Sequence, residues 1–208
     1  MHPIDVLPDV EIQPNAPISL IFLERGVSSL QAACRYVKAM PYGVNTNSED
    51  SLILFAEGQG TCTTKHGAIA RLAQELNIPV YKNLGFYRLN DAIVTGVNAI
   101  LQPYGLCFIP QIHCFLEYSN YRIDLTEGNC NGKNQTIEDY DFVVRVSPDI
   151  SHAEERRYYL EYLQRYWAIA PELQAIGEAT ILDLLDACNR QVKYQCSIMA
   201  AQPMLQKV

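Results

Sequence analysis

Gly58-Gln59-Gly60-Thr61-Cys62-Thr63-Thr64-Lys65-His66, running into the apolar stretch 68–76, is the segment on which the reading of this chain turns. Ile69, Leu72, Ala73 and Leu76 recur at helical spacing, with Arg71, Gln74 and Glu75 on the other side. Asn77 and then Pro79 close the run. The pattern predicts a helix that starts near Cys62. Gly58 and Gly60 give the backbone the freedom that a tight turn into such a helix needs. A thiol at a helix N-terminus feels the partial positive charge of unpaired N–H groups, which lowers its pKa and favours the nucleophilic thiolate. Gln59 stands three residues earlier. Its side-chain amide and the backbone N–H of Cys62 are candidate donors to an oxyanion. A cysteine taken alone more often packs in a core than reacts, so its partners decide the matter.

Those partners come from two strand-like runs, 107–118 and 121–126, separated by the hairpin signal Ser119-Asn120. A turn centred there pairs residues whose numbers add to 239, as Ser119 and Asn120 do. His113 then lies opposite Thr126, and Phe115 opposite Asp124. Side-chain alternation puts all four on one face. His113 and Asp124 become diagonal neighbours, about 7–8 Å apart at the backbone, a gap that an imidazole and a carboxylate can bridge. A slip of one residue would break the arrangement. The expected chemistry has Asp124 orienting His113, His113 taking the proton of Cys62, and Cys62 attacking a carbonyl carbon. His66, one helical turn after Cys62, could share its face but has no evident orienting acid. His2 and His152 stand in terminal or capping contexts. A zinc set of Cys62, His66, His113 and Cys114 would be unusual, and the chain has no Cys-x-x-Cys pair. Neither a metal nor a cofactor is expected.

The 208 residues suit one domain, or one domain with an appendage. Apolar residues make up 49% and charged residues 19%, a globular balance. The net charge of −7 argues against nucleic acid and anionic membranes as partners. The sequence has neither a run of about 18 apolar residues nor a signal-peptide pattern. Seven cysteines without a framework spacing predict a reducing, cytoplasmic location.

Around the central segment, residues 1–17 carry four prolines and read as an extended arm over the surface. The run 18–23 is a strand or the lead-in to a helix. Ser28 or Ser29 caps a helix that reaches about Met40 and stops at Pro41. Residues 78–89 read as a strand, Asn90-Asp91 as the cap of a helix over 92–101, 127–135 as a loop and 140–146 as a strand. Ser151 caps a long helix to about residue 168, and Pro171 breaks it. A second helix follows from about 172 or 178 to 191. The expected division is 1–150 as the core with its arm and 151–208 as a two-helix appendage packed on it. Tyr158, Tyr159, Tyr162, Tyr166 and Trp167 make the first of these helices aromatic. Such a stripe ordinarily packs in a core or an interface. Left exposed, it would form a homodimer face.

Taken together, Gly60-Thr61-Cys62, the helix end Leu76-Asn77-Ile78-Pro79-Val80, Gly85-Phe86-Tyr87, Ile112-His113-Cys114-Phe115-Leu116-Glu117-Tyr118 and Tyr121-Arg122-Ile123-Asp124-Leu125-Thr126 resemble the transglutaminase-like superfamily. The resemblance covers about residues 52–126. It implies an α+β fold with a papain-like core, in which a helix carrying Cys62 packs on an antiparallel sheet carrying His113 and Asp124. It also implies acyl transfer through a thioester, with Cys62 as nucleophile, His113 as general base and Asp124 as its orienter. Thr63 and Cys114 stand where many members carry aromatic residues. Thr63-Thr64-Lys65-His66 is similar to an uncharacterised bacterial subgroup with a Cys-x-x-Lys-His helix. The expected substrate is a peptide or other amide. Hydrolysis is favoured over cross-linking because no Asp-x-Asp-x-Asp-Gly calcium loop is present. The alternative is a non-catalytic binding or scaffold module on the same fold.

Overall fold

The computed structural model describes residues 3–167 and 175–205. The architecture is α+β, as expected, with a four-stranded antiparallel sheet. In chain order the elements are α1 (Pro17–Glu24), α2 (Leu30–Ala39), α3 (Ile53–Glu57), α4 (Cys62–Glu75), β1 (Tyr81–Leu89), α5 (Val97–Leu101), β2 (Ile109–Tyr118), β3 (Tyr121–Ile123), β4 (Phe142–Arg145), α6 (His152–Trp167) and α7 (Glu178–Leu205). The strand order is β3-β2-β1-β4. Two compact units divide the chain. The first is Met1–Gly85, His113–Asn129 and Val143–His152. The second is Phe86–Ile112, Cys130–Phe142 and Ala153–Val208. The partition thus differs from a single cut at residue 150: segments 86–112 and 130–142 group with the C-terminal helices.

In the first unit, α4 is the central element. Lys65, His66, Gly67, Ala68, Ile69, Ala70, Leu72 and Ala73 are all buried, so the helix is covered on far more than its apolar stripe. Helices α1, α2 and α3 pack against it. Its end is fixed locally. Asn77 adopts φ 58°, the Asn77 N–H donates to Gln74 O and the Ile78 N–H to Ala73 O, a left-handed stop of Schellman type. Ser29 caps α2, its hydroxyl accepting from the Ala32 N–H. Helix α1 follows Ala16, which offers no side-chain cap. Glu75 from the last turn of α4 supplies one instead, accepting from the Ile18 N–H, the Ser19 N–H and the Ser19 hydroxyl at 3.1, 2.7 and 2.6 Å. A carboxylate there also suits the positive end of the helix. Residues 4–12 do not form an arm over the surface: Ile4, Leu7 and Ile12 are buried in the core, because burying apolar groups outweighs the extended tendency of the prolines.

The β2–β3 hairpin takes the predicted register, with Leu116 opposite Ile123, Glu117 opposite Arg122 and Tyr118 opposite Tyr121. Ser119 and Asn120 both have positive φ, 46° and 70°. A two-residue turn of that hand matches the twist of the strands and fixes the pairing.

In the second unit, Phe86 stacks on Tyr162 with ring centroids 4.4 Å apart, and the Tyr159 hydroxyl donates to Pro110 O at 2.9 Å. Those two tyrosines are spent in this unit's own core, not on an exposed dimer face. The side chains of Tyr166 and Trp167, and Pro171 with the 172 start of the second helix, lie outside the described residues. The expected helix over 92–101 is shorter. Asn90 Oδ1 accepts from the Ala92 and Ile93 N–H groups, and Asp91 Oδ1 accepts from those of Gly96 and Asn98. These local bonds, with Gly96 at φ 92°, hold a turn where a helix would otherwise start, and α5 begins only at Val97. Helix α7 runs past the expected end at 191 to Leu205. No helix among the described residues is long and apolar enough to cross a membrane.

Candidate functional site

The turn before Cys62 is built by its glycines. Gly58 ends α3 in the left-handed region at φ 66°. A Cβ on Gly60 would come within 2.5 Å of Thr64 Oγ1 and 2.6 Å of Leu54 Cδ1, so a larger residue would force one of those side chains to move. The Gly60 N–H donates to Pro41 O, and the Gly43 N–H to Gly60 O, which ties the turn to the 41–43 segment. Thr61 occupies the N-cap with extended backbone and no side-chain cap bond. Cys62 then opens α4 where the sequence places the helix start, and it is half-buried.

His113 on β2 is 4% exposed and its Nε2 lies 2.6 Å from Asp124 Oδ2. Asp124 follows β3 and is itself held in place: its Oδ1 accepts from both the backbone N–H and the hydroxyl of Thr126, each at 2.7 Å. This is the short side-chain-to-backbone turn that aspartate favours. Beside its Nε2 bond to Asp124, the His113 ring hydrogen-bonds the Cys62 side chain. The Cys62 thiol is held well below the ordinary range. A hydrogen bond from the Cys114 side chain contributes most, with the charge and hydrogen bond of His113 adding to it, and together they outweigh burial, which acts in the opposite direction. The contrast with other cysteines is direct. Burial pushes Cys34 up to about 12 and Cys188 and Cys196 up to about 11. The three residues singled out from the sequence therefore meet in one place, all within the first unit.

Gln59 is placed less simply. Its Nε2 donates to Val44 O at 3.2 Å, and its side chain lies where a Cβ on Gly43 would be, so one amide N–H is committed to the 43–44 segment.

His66 is the residue the sequence left without a role. It is fully buried. The Leu125 N–H donates to its Nε2 at 2.8 Å, and its Nδ1 lies 2.7 Å from Cys62 O. A neutral imidazole that accepts at one nitrogen donates from the other, so the proton sits on Nδ1. An acid is also near, with Asp124 Oδ1 3.5 Å from Nε2. Burial holds the His66 pKa down at about 4, against the opposing pull of Asp124. Both nitrogens are in use, so His66 has no lone pair to give a zinc set with Cys62, His113 and Cys114. A different group has its donor atoms close together: His113, Asp124 and Glu127 gather one nitrogen and two carboxylates within 4.8 Å of one another. These are the residues that could hold a cation.

Lys65, the other buried polar residue of this turn, donates from Nζ to Met40 O at 2.5 Å and Lys38 O at 3.4 Å. It closes the C-terminal end of α2, where a cation is favoured. Burial brings its pKa down to about 8, with Asp124 acting in the opposite direction. The roles of His66 and Lys65 had no sequence signal beyond polar residues inside an otherwise apolar helix. Thr126 had one, the Asp-x-Thr spacing. Comparison with protein-family models, with curated proteins and with solved structures finds no match to this chain.

Proposed function

We propose that the chain is a cysteine-dependent acyl-transfer enzyme of transglutaminase-like type, with a papain-like core, that cleaves an amide or peptide bond through a thioester on Cys62. The observation that carries this reading is the convergence of Cys62, His113 and Asp124, with the 2.6 Å bond from His113 to Asp124 and a thiol held low by its neighbours. Cys62 as thiolate attacks the carbonyl carbon. The Cys62 N–H at the open end of α4 and the second N–H of Gln59 receive the negative oxygen. The His113 imidazolium gives its Nδ1 proton to the departing amine, and the C–N bond breaks to leave the thioester. His113 then takes a proton from water. The hydroxide attacks the thioester, the acid leaves and the Cys62 thiolate returns. Asp124 stays ionised throughout, fixing the ring and balancing its charge. Water as acceptor is favoured over an amine, and the cytoplasm is the expected compartment.

The test is the rate of iodoacetamide modification of Cys62 against pH, read at that peptide by mass spectrometry, in the parent and in His113→Ala. Fast modification below pH 7 that the substitution removes supports the ion pair. Ordinary thiol behaviour near about 8.5 in both proteins overturns it and leaves the non-catalytic module as the better reading.

A further inference from the structure

We infer that His66 is a positioning residue that sets the distance between the nucleophile turn and the strand end carrying Asp124. The inference rests on the acyl-transfer reading above. Its ground is the placement of the two bonds that the ring makes. One goes to the carbonyl oxygen of Cys62 itself, at 2.7 Å. The other comes from the backbone N–H of Leu125, the residue directly after Asp124, at 2.8 Å. A single rigid ring thus joins the main chain at Cys62 to the main chain at Asp124. His113 has to fit between those two residues. Its ring meets that of His66 edge to face at 6.1 Å.

The arrangement has few degrees of freedom. His66 is fully enclosed, so its ring cannot swing away to solvent. Cys62 O is one turn before His66 on α4, so the bond restrains the first turn of that helix. Leu125 is buried as well, with no surface exposure. Without the ring, its N–H would lose a buried acceptor, and the 124–126 segment would lose its direct tie to the helix. Asp124, His113 and Cys62 are the titratable groups near the ring. The nitrogen facing Asp124 must stay unprotonated for the Leu125 bond to exist. The residue therefore acts as a neutral spacer and takes no proton in the reaction. Asparagine placed here keeps a donor near the Nδ1 position, and glutamine keeps an acceptor near the Nε2 position. Each preserves one bond of the two.

The experiment uses the full-length chain. Nitrogen chemical shifts of the parent's histidines report the His66 tautomer, and amide exchange reports Leu125. The inference expects the Nδ1–H form and a protected Leu125 amide. The Nε2–H form or an unprotected amide overturns it without any variant. In His66→Gln and His66→Asn, modification of Cys62 by iodoacetamide at pH 6 should fall about ten-fold, the loss expected for one buried hydrogen bond. The pH profile should move up towards that of an ordinary thiol. If both variants are less heat-stable yet keep the parent's profile, His66 is only structural and the inference is overturned. If the parent itself shows an ordinary profile while Leu125 stays protected, the acyl-transfer reading fails and takes the positioning role with it. These two failures are distinguishable because the second appears in the parent alone.

Discussion

Lowering the pH from 7 to 4.5 loads one residue, His66, in a way that can be worked out from its surroundings. The unfolded value is 6.5, and in the fold burial holds it at about 4. As pH falls through 6.5 the unfolded chain takes up a proton that the folded chain refuses. Stability is therefore fully present above pH 6.5, is lost between there and about 4, and is level below. A separation of about two to three pH units at 1.36 kcal/mol per unit gives roughly 3 kcal/mol in full, most of which is gone by pH 4.5. Carboxylates titrate in the same window, so the parent is compared with His66→Gln, which shares all of them. Urea unfolding followed by far-ultraviolet circular dichroism at each pH gives both stabilities. The stability of the parent minus that of the variant should shrink by about 2 kcal/mol between pH 7 and pH 4.5. A difference constant to within about 0.5 kcal/mol would refute the reasoning, because it would mean that His66 charges as easily inside the fold as outside.

Asp124→Asn keeps the size of the side chain but removes the charge behind His113. Turnover, once a substrate is found, should fall on the order of 10²–10⁴-fold, and low-pH alkylation of Cys62 should weaken with it; parent-like rates would remove Asp124 from the mechanism. Glu75→Ala leaves the Ile18 and Ser19 N–H groups without their cap and should cost about 1–3 kcal/mol in urea unfolding, whereas an unchanged midpoint would show that water serves α1 as well. Gly67→Ala puts a methyl 2.7 Å from the Pro148 carbonyl oxygen. The strain, about 1–3 kcal/mol, should exceed the roughly 0.5–1 kcal/mol that alanine gains over glycine in a helix, so the melting temperature should drop and not rise.

What was legible in the sequence had local causes. The hairpin register followed from Ser119-Asn120 and strict alternation, and a turn with two positive φ values leaves no freedom to slip. The start of α4 followed from the glycine turn, and its stop from Asn77. The site residues Cys62, His113 and Asp124 could be brought together because the hairpin carries His113 on β2 and leads the chain to Asp124 just past β3, and a helix start supplies the third. The helix expected from residue 92 was misjudged because Asn90 and Asp91 are equally good at capping helices and at holding turns, and only the bonds to Gly96 and Asn98 settle which.

The sequence alone therefore determined the α+β class, the hairpin register and the helix that presents Cys62, since turn chemistry and side-chain period act over a few residues. The tertiary structure alone decided the role of His66. Its Nε2 accepts from a backbone N–H 59 residues away, and a backbone group carries no residue type for a pattern to reveal. The same holds for Lys65, whose partners are the carbonyls at the end of α2, and for Glu75, which caps a helix 56 residues before it. Contacts between a side chain and a distant main chain depend on how the elements dock, and docking is fixed by the burial of the whole core.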